Sequence, residues 1–122
     1  MSSFSIAGRI RSFGHAFRGA VALVSTQQNA RIHAVATVAV CVAGGIFKVS
    51  AFEWGLLVIA IGQVWAAEAL NTALEFLADE VSEEKRSRIG KAKDVAAFGV
   101  LVAAISSFII GVIVFLPHIW GS

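Results

Sequence analysis

Residues 54–80 read WGLLVIAIGQVWAAEALNTALEFLADE. The stretch begins as an uncharged apolar run, and its apolar pattern continues past Glu68 to Ala78. A run of this length and polarity predicts a membrane-crossing helix, which needs about 20 mostly apolar residues. Three carboxylates, Glu68, Glu75 and Asp79, interrupt its second half together with Asn71. At helical spacing these four share one face, with Thr72 at its edge. Ionisable groups at such depth cost several kcal/mol unless they pair, meet water or bind cations. The stripe is therefore either a polar seam between packed helices or a row of ligands. Hard carboxylate oxygens suit magnesium.

Two further spans flank this one. The 16 residues between Arg31 and Lys48, IHAVATVAVCVAGGIF, carry no formal charge. No Asp, Glu, Lys or Arg follows Asp94. Helices are predicted at about 29–48, 52–79 and 91–117, because lipid cannot satisfy open backbone groups. Gly44-Gly45 is expected to loosen the end of the first span, KVSAFE to form a tight turn, and Pro117 to end the third span. The composition agrees: of 122 residues, 57% are hydrophobic and 15% charged, with a mean hydropathy of +0.80. This is an all-α integral membrane protein read as a single domain over 1–122. A net charge of +2 without basic patches argues against nucleic acid as a partner. No short apolar core with a cleavage site opens the chain, so no signal peptide is expected.

Basic residues set the expected orientation. Arg9, Arg11 and Arg18 precede the first span, and Lys85, Arg86, Arg88, Lys91 and Lys93 surround the second loop. Lys48 stands alone on the other side. The N-terminus and the 80–92 loop are therefore expected in the cytoplasm. Ile6, Ile10, Phe13, Phe17 and Val21 recur at three- and four-residue steps with the arginines off that stripe. This predicts an amphipathic helix lying in the membrane surface.

A second polar cluster, GKAKD at 90–94, opens the third span at the level of Glu75 and Asp79. Acids that hold magnesium, with lysines beside them, suit polyphosphate chemistry: metal bridges phosphate oxygens, lysine neutralises charge, and a carboxylate takes a proton. No GxxxxGK[ST] phosphate loop is present. Cys41 and His33 read as packing residues, and Trp54 and Trp120 as anchors at the outer interface. Trp65 is expected to pack on lipid or a neighbouring helix. Gly62, Ala66, Ala67 and Ala69 would permit close helix approach.

At this point FGHAFRG (13–19), NARIH (29–33), EALNTALE (68–75) and AKDVAAFGVL (92–101) together resemble the small integral-membrane lipid kinases of bacteria, the diacylglycerol and undecaprenol kinases. The resemblance covers nearly the whole chain. It implies a homotrimer in the bacterial inner membrane, each subunit with three spans and a surface helix. It implies transfer of the γ-phosphate of ATP to a lipid hydroxyl, diacylglycerol or undecaprenol, with magnesium. Carried over by motif, Glu68 resembles the catalytic base and Glu75 a metal ligand. Asn71 would orient a phosphate or lipid oxygen, and Lys93 and Asp94 resemble a nucleotide-binding pair. His15 is a nucleotide-contact candidate or a headgroup neighbour. One departure stands out: four residues before Arg31, where the family's best-known members carry a metal-binding glutamate, this chain has Gln27. The competing functions are a non-catalytic membrane scaffold and a small ion-conducting subunit. The apolar run at 54–62 argues against a continuous ion path.

Overall fold

The computed structural model describes residues 5–82 and 87–121. Its four elements are all α-helices: α1 (Ile6–Thr26), α2 (Gln28–Ile46), α3 (Ala51–Val81) and α4 (Ser87–Ile119). The last three are long and apolar enough to cross a membrane. At 1.5 Å per residue, α2 is roughly 28 Å long and just spans a hydrocarbon core, whereas α3 and α4 reach roughly 46 and 50 Å. The excess length carries the polar ends of α3 and α4 beyond the apolar layer. Lys85 and Arg86 lie outside the described residues.

Each junction has a chemical cause. Ser5 caps α1 by accepting a hydrogen bond from the Gly8 N–H at 3.0 Å. Gln27 is extended (φ −114°, ψ 118°) and separates α1 from α2. Arg31 clamps this elbow: its Nε donates to the Val24 carbonyl at 2.9 Å and its Nη2 to that of Ser25 at 2.8 Å. These satisfy carbonyls that the end of α1 would otherwise leave open. At the far end of α2, Val49 N–H bonds the Gly44 carbonyl and Lys48 N–H that of Gly45. This is the helix-ending Schellman arrangement, with Lys48 at φ 53° where glycine is usual. Ser50 and Glu53 then form a reciprocal capping box that starts α3.

Helices α3 and α4 make the main packed pair. Their small core centres on Val49, Leu57 and Val114, flanked by Trp54, Ile110 and Phe115. Polar side chains lace the pair within the apolar layer. Gln63 Nε2 donates to Ser106 Oγ at 3.0 Å and Ser107 Oγ at 2.8 Å, and Ser107 Oγ donates to the Ala60 carbonyl at 2.8 Å. Near the α2–α3 turn, His118 Nε2 lies 3.1 Å from Glu53 Oε2, tying the end of α4 to the α3 cap.

Several expectations are corrected. Gly44 does not loosen α2: the helix runs on to Ile46, and the Trp54 ring fills the place of a side chain at Gly44. A Cβ there would lie 2.5 Å from the ring. Pro117 does not end α4, which continues to Ile119. So near a terminus proline removes one hydrogen bond, and the next turn still closes through Trp120 N–H to the Leu116 carbonyl at 3.1 Å. Cys41 is not packed but exposed on α2, because α2 buries only Ala30 and Gly44. Trp65 does pack on a neighbouring helix as expected, its Nε1 donating to Thr37 Oγ1 of α2 at 2.9 Å. Trp54 is half-buried and Trp120 is exposed. Gly62 has open space around it, with nothing within 4 Å of an added Cβ among the described residues.

Candidate active site

Glu68 is the centre of the polar stripe. It is 1% exposed and stands with Leu57 and Val114 as the largest fully buried side chains. An ionised carboxylate in such surroundings is costly unless paired or solvated. Its nearest ionisable partner is His33 on α2, with Nε2 3.5 Å from Oε2. That contact falls short of a formed hydrogen bond, and Glu68 Oε2 has no hydrogen-bond partner. The neighbouring Asn71 Oδ1 and Thr72 Oγ1 are likewise buried and unpartnered. Three open polar atoms within five positions give this part of α3 unused capacity to bind a polar ligand, against the usual rule that buried polar groups are satisfied.

One turn beyond Asn71 on the same face, Glu75 is half-buried and makes no hydrogen bond or short ion pair among the described residues. Asp79 follows one turn later. Lys93 reaches across from α4 and its Nζ donates to Asp79 Oδ1 at 2.7 Å. The Glu75 carboxylate adds to the attraction felt by the same ammonium. Glu75, Asp79 and Lys93 thus form a mixed-charge cluster at the polar ends of α3 and α4. Lys93 is therefore committed to Asp79 rather than free, while Asp94 is exposed on the adjoining side of α4.

The remaining candidates lie apart. His15 is exposed on α1, its ring Nδ1 engaged by the Arg18 guanidinium. Gln27 is half-buried at the elbow, with Nε2 on Thr26 Oγ1 at 3.3 Å. Helix α1 packs chiefly on α2. Among the described residues, no three His, Cys, Asp or Glu converge on one point.

An apolar groove of about 450 Å³ runs between α2, α3 and α4. His33 and Trp65 stand at one end and Phe115 and Ile119 at the other. The groove thus leads from beside Glu68 along most of the apolar layer. His33 is the residue that sequence reading undervalued. Its pairing with Glu68, 35 positions away, needs two helices to be docked. The signal available was a lone imidazole at the depth of a lone carboxylate.

Residues 14–115 match the model of the family described as prokaryotic diacylglycerol kinase. The chain is 38% identical over 109 residues to the undecaprenol kinase of Bacillus subtilis, covering 89% of each. It is 37% identical over 107 residues to the diacylglycerol kinase of Synechocystis, covering 87% of this chain and 61% of that one. To the diacylglycerol kinase of Escherichia coli K12 it is 28% identical over 109 residues, again covering 89% of each. With its three membrane-length helices and a family match over most of its length, the chain belongs to the prokaryotic diacylglycerol kinase family and is a lipid kinase.

Proposed function

We propose that this protein transfers the γ-phosphate of ATP to the hydroxyl of a membrane lipid alcohol, with undecaprenol favoured over diacylglycerol. The observation that carries the reading is the fully buried Glu68 carboxylate, its Oε2 without a hydrogen bond among the described residues and its neighbour His33 lining an apolar groove. A lipid tail lying in that groove would bring its hydroxyl to the carboxylate. The groove is long and apolar, which suits an extended polyprenyl chain.

In this reading Glu68 takes the proton of the lipid hydroxyl as its oxygen attacks the γ-phosphorus. The bond from that phosphorus to the bridging β-oxygen breaks, and ADP leaves. Asn71, one turn nearer the polar end, orients a phosphate or lipid oxygen with its open Oδ1. Lys93 neutralises phosphate charge after leaving Asp79, with Asp94 beside it nearer the nucleoside. Burial of Glu68 keeps water from competing for the phosphoryl group.

The donor chemistry fits magnesium. Glu75 offers a carboxylate free of short contacts, and Asn71 Oδ1 is unpartnered one turn away. Magnesium, when bound, neutralises the charge that develops on the phosphates. Gln27 would add a neutral oxygen. Within one chain Glu75 is only half-buried and Asp79 is exposed, which supports a homotrimer in which a neighbouring subunit covers these acids. The exposed apolar side chains of α1, Ile6, Ile10, Phe13 and Phe17, support a helix lying in the cytoplasmic surface of the inner membrane. The N-terminus would then be cytoplasmic, and residues 1–122 one membrane-embedded kinase domain.

The test is an assay in detergent micelles with labelled ATP and both lipids in parallel. Label in undecaprenyl phosphate is expected, with less in phosphatidate. Label in neither lipid would overturn the reading.

A further inference from the structure

We infer that His33 is the proton-accepting partner of Glu68, a positioning and relay residue rather than a packing one. The inference rests on the reading of Glu68 as the base. Burial sets a problem for that base. At 1% exposure, Glu68 has almost no water to which it can return the proton it takes from each lipid hydroxyl. Unless the proton leaves, Glu68 stays neutral and the next turnover stops.

His33 is placed to remove it. Its Nε2 lies 3.5 Å from Glu68 Oε2, and its side chain is 20% exposed against 2% for the Glu68 side chain. The ring therefore touches the buried carboxylate and also lines the groove. Trp65 borders the ring and is itself held by Thr37. Trp65 meets the ring edge-on with centroids 6.4 Å apart. Thr37 Oγ1 accepts from Trp65 Nε1 at 2.9 Å and donates to the His33 carbonyl at 2.7 Å. Histidine is the side chain whose ordinary titration range lies near neutral pH, so it takes and gives a proton at little cost. Catalytic contacts are often long in the free protein and tighten with substrate.

The proton balance is simple. The lipid O–H bond breaks as its oxygen bonds phosphorus, and the proton forms an O–H bond on Glu68. That O–H gives its proton to the free lone pair of His33 Nε2, leaving Glu68 ionised and His33 as imidazolium. The imidazolium releases a proton to water from its exposed side and exchanges back to the neutral ring. Other charges do not intervene. From α3 the group facing His33 is Glu68; from α4, Lys93 is committed to Asp79. On α2 itself, Arg31 is turned to the carbonyls of α1.

The experiment uses the full-length protein in micelles at saturating ATP, magnesium and lipid. His33→Asn and His33→Gln should each lower kcat at least about tenfold with little change in KM. Added imidazole should restore part of their rate. Glu68→Gln combined with His33→Asn should be no slower than Glu68→Gln alone, since both act in one proton path. A slow, folded His33→Asn whose rate ignores imidazole overturns the inference. If Glu68→Gln abolishes transfer while His33→Asn is normal, the relay fails and the base stands. If Glu68→Gln is itself active, the base reading fails and the relay with it.

Discussion

Lys93 on α4 and Asp79 on α3 are joined by a 2.7 Å hydrogen bond. The lysine is 38% and the aspartate 59% exposed, so the pair joins the two helices at their polar ends, where water screens it. Exposed pairs of this kind contribute little to stability. In the proposed reaction the pair would hold a cation beside the acids until phosphate arrives. Asp79→Asn should therefore change the thermal midpoint in micelles little, while Lys93→Ala should raise the KM for ATP at least about tenfold. A large stability loss in Asp79→Asn, or an unchanged KM in Lys93→Ala, would contradict this division.

Trp54 sits where Gly44 has no side chain. A Cβ at Gly44 would approach the ring to 2.5 Å, and the ring belongs to the core at the α2–α3 turn. Gly44→Ala should cost about 1–3 kcal/mol by overpacking, read as a lower midpoint of thermal unfolding. Gly45→Ala, with nothing within 4 Å of the added atom, should unfold near the wild-type temperature. Equal midpoints for the two variants would remove Gly44 from the packing account.

Gln27 tests the metal. Gln27→Glu adds a unit charge to a hard-oxygen position, so half-maximal activity should need less magnesium, with desolvation cancelling most of the Coulomb gain. Gln27→Leu offers no oxygen and should need much more. Titration of activity against magnesium at fixed ATP decides it. A single curve for all three proteins would exclude Gln27 from the metal.

The proposed homotrimer would cover the exposed acids of α3 with a neighbouring subunit. A homotrimer with shared sites should show its mass in mild detergent. Mixing Glu68→Gln subunits with Gln27→Leu subunits should recover activity that neither has alone. An active monomer would rule the arrangement out.

The spans were legible because the apolar layer allows so few alternatives: a charge-free run between Arg31 and Lys48 has to be a helix. Their ends were less legible. Pro117 reads as a stop, yet near a terminus one lost hydrogen bond leaves Ile119 helical. The stripe on α3 was legible from spacing alone, since residues along one helix share a face by geometry. Pairings between helices were not. Gln63 with Ser106 and Ser107, and His33 with Glu68, depend on the depth and rotation of docked helices. Gly44 was read as a weak point because a sequence does not show which ring will lie on it.

The most direct measurement compares wild type and Glu68→Gln for transfer of labelled phosphate from ATP to undecaprenol and to diacylglycerol, with folding checked by the thermal midpoint. The wild type should label lipid, and the folded variant should be slower by about 10²- to 10⁴-fold. A folded Glu68→Gln that keeps more than about half of the wild-type rate would contradict the account.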